Sequence, residues 1–150
     1  MLKKDNRFDN YAYRVATRDI DPSVTSLYEG SWVTLDATSG KVRPAAATDK
    51  VVFLCTTSER SGRDNVKSQG AFPKAAYYLG PFEVTVANDE VGDTAYDSNG
   101  TYGYLTPLTI KADSTTNQGI LTPAGENDAV YAYSCGPADA TAHTLRICRF

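Results

Sequence analysis

The side chains able to do chemistry are few and poorly placed for it. The chain of 150 residues has one histidine, His143, and three cysteines, Cys55, Cys135 and Cys148. A Ser–His or Cys–His mechanism needs its base within hydrogen-bond reach of the nucleophile, and His143 is the one base on offer. It sits in PADATAHTLR, which reads as a turn, and no GxSxG elbow surrounds any serine. By parity, Cys148 falls on the opposite face of the strand that follows. His143 therefore reads as an ordinary strand-end residue.

Metal and phosphate chemistry fare no better. Three Cys and one His could formally surround a zinc ion, but structural zinc sites use close pairs such as CxxC, and none occurs. The acidic stretch NDEVGDTAYDSNG offers Asp89, Glu90, Asp93, Asp97 and Asn99 as hard oxygen ligands. It lacks the DxDxDG spacing and the terminal Glu of a calcium loop, so it reads as solvated. Neither GxxxxGK[ST] nor GxGxxG is present, and the glycines fall singly at turns. The expectation is a protein that is not an enzyme and holds no metal or cofactor.

What these residues sit on is legible from periodicity. Apolar residues alternate or come in short β-branched and aromatic runs, and helical spacing is almost absent. Strands are expected near Tyr13–Thr17, Ser31–Asp36, Lys41–Arg43, Val51–Cys55, Ala76–Leu79, Phe82–Val86, Tyr102–Leu105, Leu108–Ile110, Gly119–Leu121, Ala129–Tyr133 and Thr144–Phe150. Gly40, Gly80–Pro81, the DSNG of Asp97–Gly100, and Pro123 with Gly125 mark reversals. This spacing predicts an all-β domain, a single β-sandwich or β-barrel over residues 24–150. Trp32 reads as a core anchor. The pairs Tyr102/Tyr104 and Tyr131/Tyr133 are spaced to share a face each and suit ordinary sheet packing.

Two segments stand apart. Residues 1–23 form an extended N-terminal arm that is polar, basic and studded with Phe8, Tyr11 and Tyr13. A long polar loop runs from Thr56 to Ala75 and carries Arg60 and Arg63; structureless loops of that length are uncommon unless functional or disordered. The net charge of −3 is unevenly spread. Through Arg18 five bases stand against two acids, and the remainder carries ten bases against sixteen acids. A basic arm on an acidic body suits docking onto an acidic surface, so Arg7, Phe8, Tyr11, Tyr13, Arg14, Arg18, Arg60 and Arg63 are the candidate partner-binding residues. A sequence pI near 5.1 argues against a nucleic-acid partner. No apolar run approaches a membrane span, and no apolar stretch follows the basic N-terminus as in a signal peptide. Synthesis in a cytoplasm with three reduced, buried thiols is the expectation; one disulfide stays open if the protein ends up outside the cell.

The order of motifs carries a resemblance. The run YEGSWVTLDATSGKVRPAAATDK from Tyr28 to Lys50 is followed by LGPFEVTVAND, then DSNGTYGYLTPLTIKADSTTNQGILTP, then AVYAYSCGPADATAHTLRICRF. This series resembles the head decoration, or cement, proteins of tailed bacteriophages over most of residues 24–150. Gly30–Val33, Phe82–Val84 and Tyr102–Leu121 carry it. The resemblance implies a small non-enzymatic β protein on the outer surface of the virion capsid, assembled in the bacterial host cytoplasm. It also implies homotrimers that contact the major capsid protein and need no cofactor. The alternatives are a carbohydrate-binding β-sandwich of an adhesin and a phage tail or connector component.

Overall fold

The computed structural model describes residues 14–58 and 73–150, and the backbone of residues 2–4. Its strands are β1 (Leu2–Lys4), β2 (Val15–Asp19), β3 (Trp32–Leu35), β4 (Val42–Pro44), β5 (Phe53–Ser58), β6 (Lys74–Tyr78), β7 (Phe82–Ala87), β8 (Tyr104–Ala112), β9 (Gly119–Pro123), β10 (Ala132–Cys135) and β11 (Thr144–Arg149). They form one antiparallel ladder in the order β1-β7-β11-β10-β8-β9-β3-β5-β6-β2, with β4 also on β3. The all-β domain expected from the sequence is what forms.

The ladder wraps round on itself. β6 and β7 lie far apart along it, yet only Leu79–Pro81 separate them in the chain. Tyr78 and Phe82 meet across this link with ring centroids 5.4 Å apart. Adjacent residues in β3, β5 and β6 explain how the inside is filled. Trp32, Leu54 and Tyr78 enter one core, shared with Val84, Leu108, Leu121, Leu145 and Ile147. Val33, Cys55 and Tyr77, each the neighbour of one of these, enter a second core with Ile20, Val24, Leu27 and Val42. Side chains alternate across a strand, so a strand buried on both faces needs consecutive apolar residues. β7 and β11 instead alternate between buried and half-buried, which leaves each with an outward face.

Several boundaries move. The backbone of Leu2–Lys4 pairs with Val84–Val86, and Val15–Asp19 pairs with Lys74–Tyr78. Both ends of the segment read as an arm thus belong to the sheet, and buried Ile20 and Val24 run on into its second core. The polar loop is shorter than Thr56–Ala75, because Thr57 pairs with Ala76 and Ser58 with Ala75. Thr suits a pleated sheet, and polarity alone concealed the strand ends. The two expected strands around Pro107 are one, β8, with Pro107 opposite Tyr133 and a register shift between Tyr133 and Cys135. A proline gives the ladder no N–H, and the local irregularity absorbs it.

Asp49 ties down the turn after β4. Its carboxylate accepts two hydrogen bonds from Arg43, at 3.0 and 2.8 Å, and one from the Ala46 N–H at 2.8 Å. The Arg43 guanidinium holds the Asp49 carboxyl below its ordinary 3.8, against partial burial. A depressed folded-state pKa contributes stability that is complete above the unfolded value and is lost as pH falls through the folded one. The melting midpoint is therefore expected to fall below about pH 4. Asp49→Asn should cost about 1 kcal/mol at pH 7 and less at pH 3, since Arg43 is partly exposed. Paired thermal melts at the two pH values check this, and an equal cost at both contradicts it.

Candidate interaction surface

The outward face of β8, β10, β11 and β7 collects the most exposed large apolar side chains on one strand set. Register places Tyr104 opposite Cys135, Tyr133 opposite Cys148, and Cys148 opposite Glu83. Tyr104 is 82% exposed, Leu105 64% and Phe150 84%. Phe150 lies beside Tyr133, ring centroids 5.8 Å apart and tilted by 44°. Arg146 and Glu83 form an ion pair on the same face. Leu105 adopts φ 55°, a left-handed conformation that costs a non-glycine residue roughly 1–2 kcal/mol. Strain and apolar exposure at one place mark a contact surface more often than a scaffold element.

A second surface lies at the end of the ladder. β2 is its last strand, so one edge of β2 has no ladder partner among the described residues. Arg14 and Arg18 are both exposed there. The Arg14 carbonyl accepts the Leu79 N–H at 2.9 Å, and Arg18 donates to the Thr17 carbonyl at 3.3 Å. An open edge beside cations can take an extended acidic segment by backbone pairing. Arg7, Phe8, Tyr11, Tyr13, Arg60 and Arg63 lie outside the described residues.

No protein-family model, curated protein or solved structure matches the chain. The resemblance to decoration proteins rests on motif order alone.

The remaining candidates have structural work. His143 is exposed at φ 52° in the turn before β11, and its carbonyl accepts the Asn88 N–H at 3.1 Å. The acidic stretch is a loop organised from within. Asp93 accepts from Asn88 at 3.0 Å and from the Ser98 N–H at 2.9 Å, while Asp97 pairs with Lys111 and accepts the Asn99 N–H at 3.1 Å. Among the described residues no group of three or more His, Cys, Asp or Glu could hold a metal ion. Trp32 is fully buried, as a core anchor should be, and Arg149 lies over its ring, 5.6 Å from the centroid, while donating to the Val52 carbonyl at 2.7 Å.

The tyrosine pairs are corrected. Tyr102 is buried, with its hydroxyl donating to the Asp97 carbonyl at 2.8 Å, whereas Tyr104 stands in the open. Tyr131 packs against the larger core and donates to the Asp49 carbonyl at 2.6 Å, whereas Tyr133 faces outward beside Phe150. Alternation holds only within a ladder, and Tyr102 and Tyr131 precede the strands that contain their partners. Leu105 and Phe150 carry no sequence signal that marks them as contact residues. Nothing in an isolated leucine or a C-terminal phenylalanine distinguishes it from a core residue.

Proposed function

We propose that this chain is a non-enzymatic decoration protein of a bacteriophage head, bound as homotrimers to the outer capsid surface and bridging major capsid protein subunits. The exposed Tyr104 and Phe150 face, with the exposed, left-handed Leu105 next in the chain to Tyr104, carries the reading, because it is apolar and partly strained. The basic edge of β2 gives a second contact of different chemistry, and a cement protein needs two contacts to bridge two subunits. The motif order over residues 24–150 supports the same reading.

The test is add-back of purified protein to undecorated heads, with copy number per particle measured by mass spectrometry. Hundreds of copies are expected; about a dozen or fewer would assign the chain to a connector instead. Tyr104→Ala with Phe150→Ala should weaken attachment roughly 10- to 100-fold at any salt, as loss of central aromatic anchors does. Arg14→Glu with Arg18→Glu should weaken it mainly at low salt, where unscreened charge counts. Attachment of both double variants as tight as wild type, or absence of the chain from heads, rejects the proposal.

A further inference from the structure

Two of the three thiols are neighbours on the outward face. Tyr133 stands opposite Cys148 in the β10–β11 ladder, and Cys135, two positions along, shares the face of Tyr133. Cys135 and Cys148 are therefore diagonal cross-strand partners on one face of the β10–β11 pair. Cys55 is fully buried in the other core and shares no strand with either. All three are free thiols here.

We infer that Cys135 and Cys148 form an oxidisable pair that closes to a cross-strand disulfide, tying the C-terminal strand β11 to β10 once the protein meets an oxidising environment. A diagonal pair has its Cα atoms roughly 7–8 Å apart. A disulfide usually spans about 4.4–6.8 Å. Closure thus needs a local shift of about 1 Å. The β8–β10 pairing beside Cys135 is already irregular, with one extra residue in β8 between Tyr104 and Pro107, and Gly136 follows Cys135 at φ 147°, so this end of β10 is the place to supply it.

The chemistry balances with a disulfide oxidant such as oxidised glutathione. Cys135 is half-buried whereas Cys148 is only 8% exposed, so Cys135 is the entry thiol. Its thiolate attacks glutathione disulfide and releases one glutathione. Cys148, losing its proton, then attacks the Cys135 sulfur of the mixed disulfide and releases the second glutathione. Two S–H bonds are lost, one S–S bond forms, and the two electrons and two protons leave as two glutathione thiols. Burial pushes the Cys135 thiol up to about 12, and the neighbouring Cys148 thiol adds to the rise. Closure at neutral pH is accordingly slow. In a reducing cytoplasm the pair stays open, and the bond belongs to a later, oxidising compartment.

The test exposes the folded full-length protein to oxidised glutathione at mildly alkaline pH. The intact mass should fall by two hydrogens, and non-reducing digestion should yield one peptide pair joining Cys135 to Cys148. The melting midpoint should rise by roughly 5–10 °C and return on reduction. Cys148→Ser should instead keep a glutathione on Cys135, whereas Cys55→Ser should close as wild type does. A wild-type protein that accumulates a stable glutathione adduct, keeps both thiols alkylatable, or links Cys55 overturns the inference. If Cys148→Ser fails to fold, the linked peptide of the wild type decides alone.

Discussion

Gly119→Ala should lower stability by about 3 kcal/mol or more, and the melting midpoint by roughly 6–12 °C. A Cβ at position 119 would lie 2.6 Å from the Ala45 carbonyl oxygen and 2.7 Å from that of Trp32. Neither oxygen is free to yield. The Ala45 N–H donates to the Trp32 carbonyl at 2.9 Å, and β3 and β4 are zipped through Val33–Pro44, Thr34–Arg43 and Leu35–Val42. The Trp32–Gly119 pair is also the one register pair joining β3 to β9. It joins the β1-β7-β11-β10-β8-β9 stretch of the ladder to the β3-β5-β6-β2 stretch. A methyl group there forces the two stretches apart where they are thinly sewn, beside Gln118, whose buried amide accepts from Tyr28 N–H and donates to the Ser26 carbonyl. Gly80→Ala is the control. Its Cβ meets nothing within 4 Å, so the change should be neutral or slightly stabilising through the unfolded chain. Chemical denaturation of both variants settles the comparison, and near-equal midpoints would show that β9 moves freely against β3.

Asn88→Ala should cost about 2–4 kcal/mol, an unusual loss for one partly buried polar side chain. The Asn88 amide oxygen accepts the N–H groups of Thr94, Ala95 and Tyr96 at 3.1, 3.0 and 3.1 Å. Its amide nitrogen donates to Asp93 at 3.0 Å and to the Tyr96 carbonyl at 2.9 Å. Truncation orphans three backbone donors at once, and Ala95 and Tyr96, both core residues, lose the loop that delivers them. Asn88→Asp separates the two halves of the argument. A carboxylate can still accept the three N–H groups, but it cannot donate, and it faces the Asp93 carboxylate. Its deficit against wild type should therefore be larger at pH 7 than at pH 4, whereas the alanine deficit should vary little. A common pH dependence for the two variants would show that the loop is held by something other than this amide.

Both positions show where sequence reasoning stops. Asn88 opens the NDEVGDTAYDSNG stretch, yet attention to charge picks out its carboxylates, because ligand chemistry is what a lone sequence suggests. The hub is the neutral Asn88 amide, whose oxygen accepts three N–H groups while its nitrogen donates twice. Gly119 reads as the start of a strand. That it must be glycine follows from the approach of two backbone carbonyls from residues 32 and 45, a contact that no local pattern encodes. Arg14 and Arg18 were legible as exposed cations, but not as flanking an open edge, since that depends on which strand ends the ladder.

The sequence by itself determined the class: short strands, turn residues at the reversals and a buried Trp32. These are local properties, set by period-two alternation and turn chemistry, and they survive any strand order. Tertiary structure alone decided that β3, β5 and β6 are buried on both faces, that Tyr102 turns inward while Tyr104 turns outward, and that Cys135 lies diagonally across from Cys148. Each of those depends on register and on wrapping of the ladder, and a one-residue slip would move every side chain to the other face.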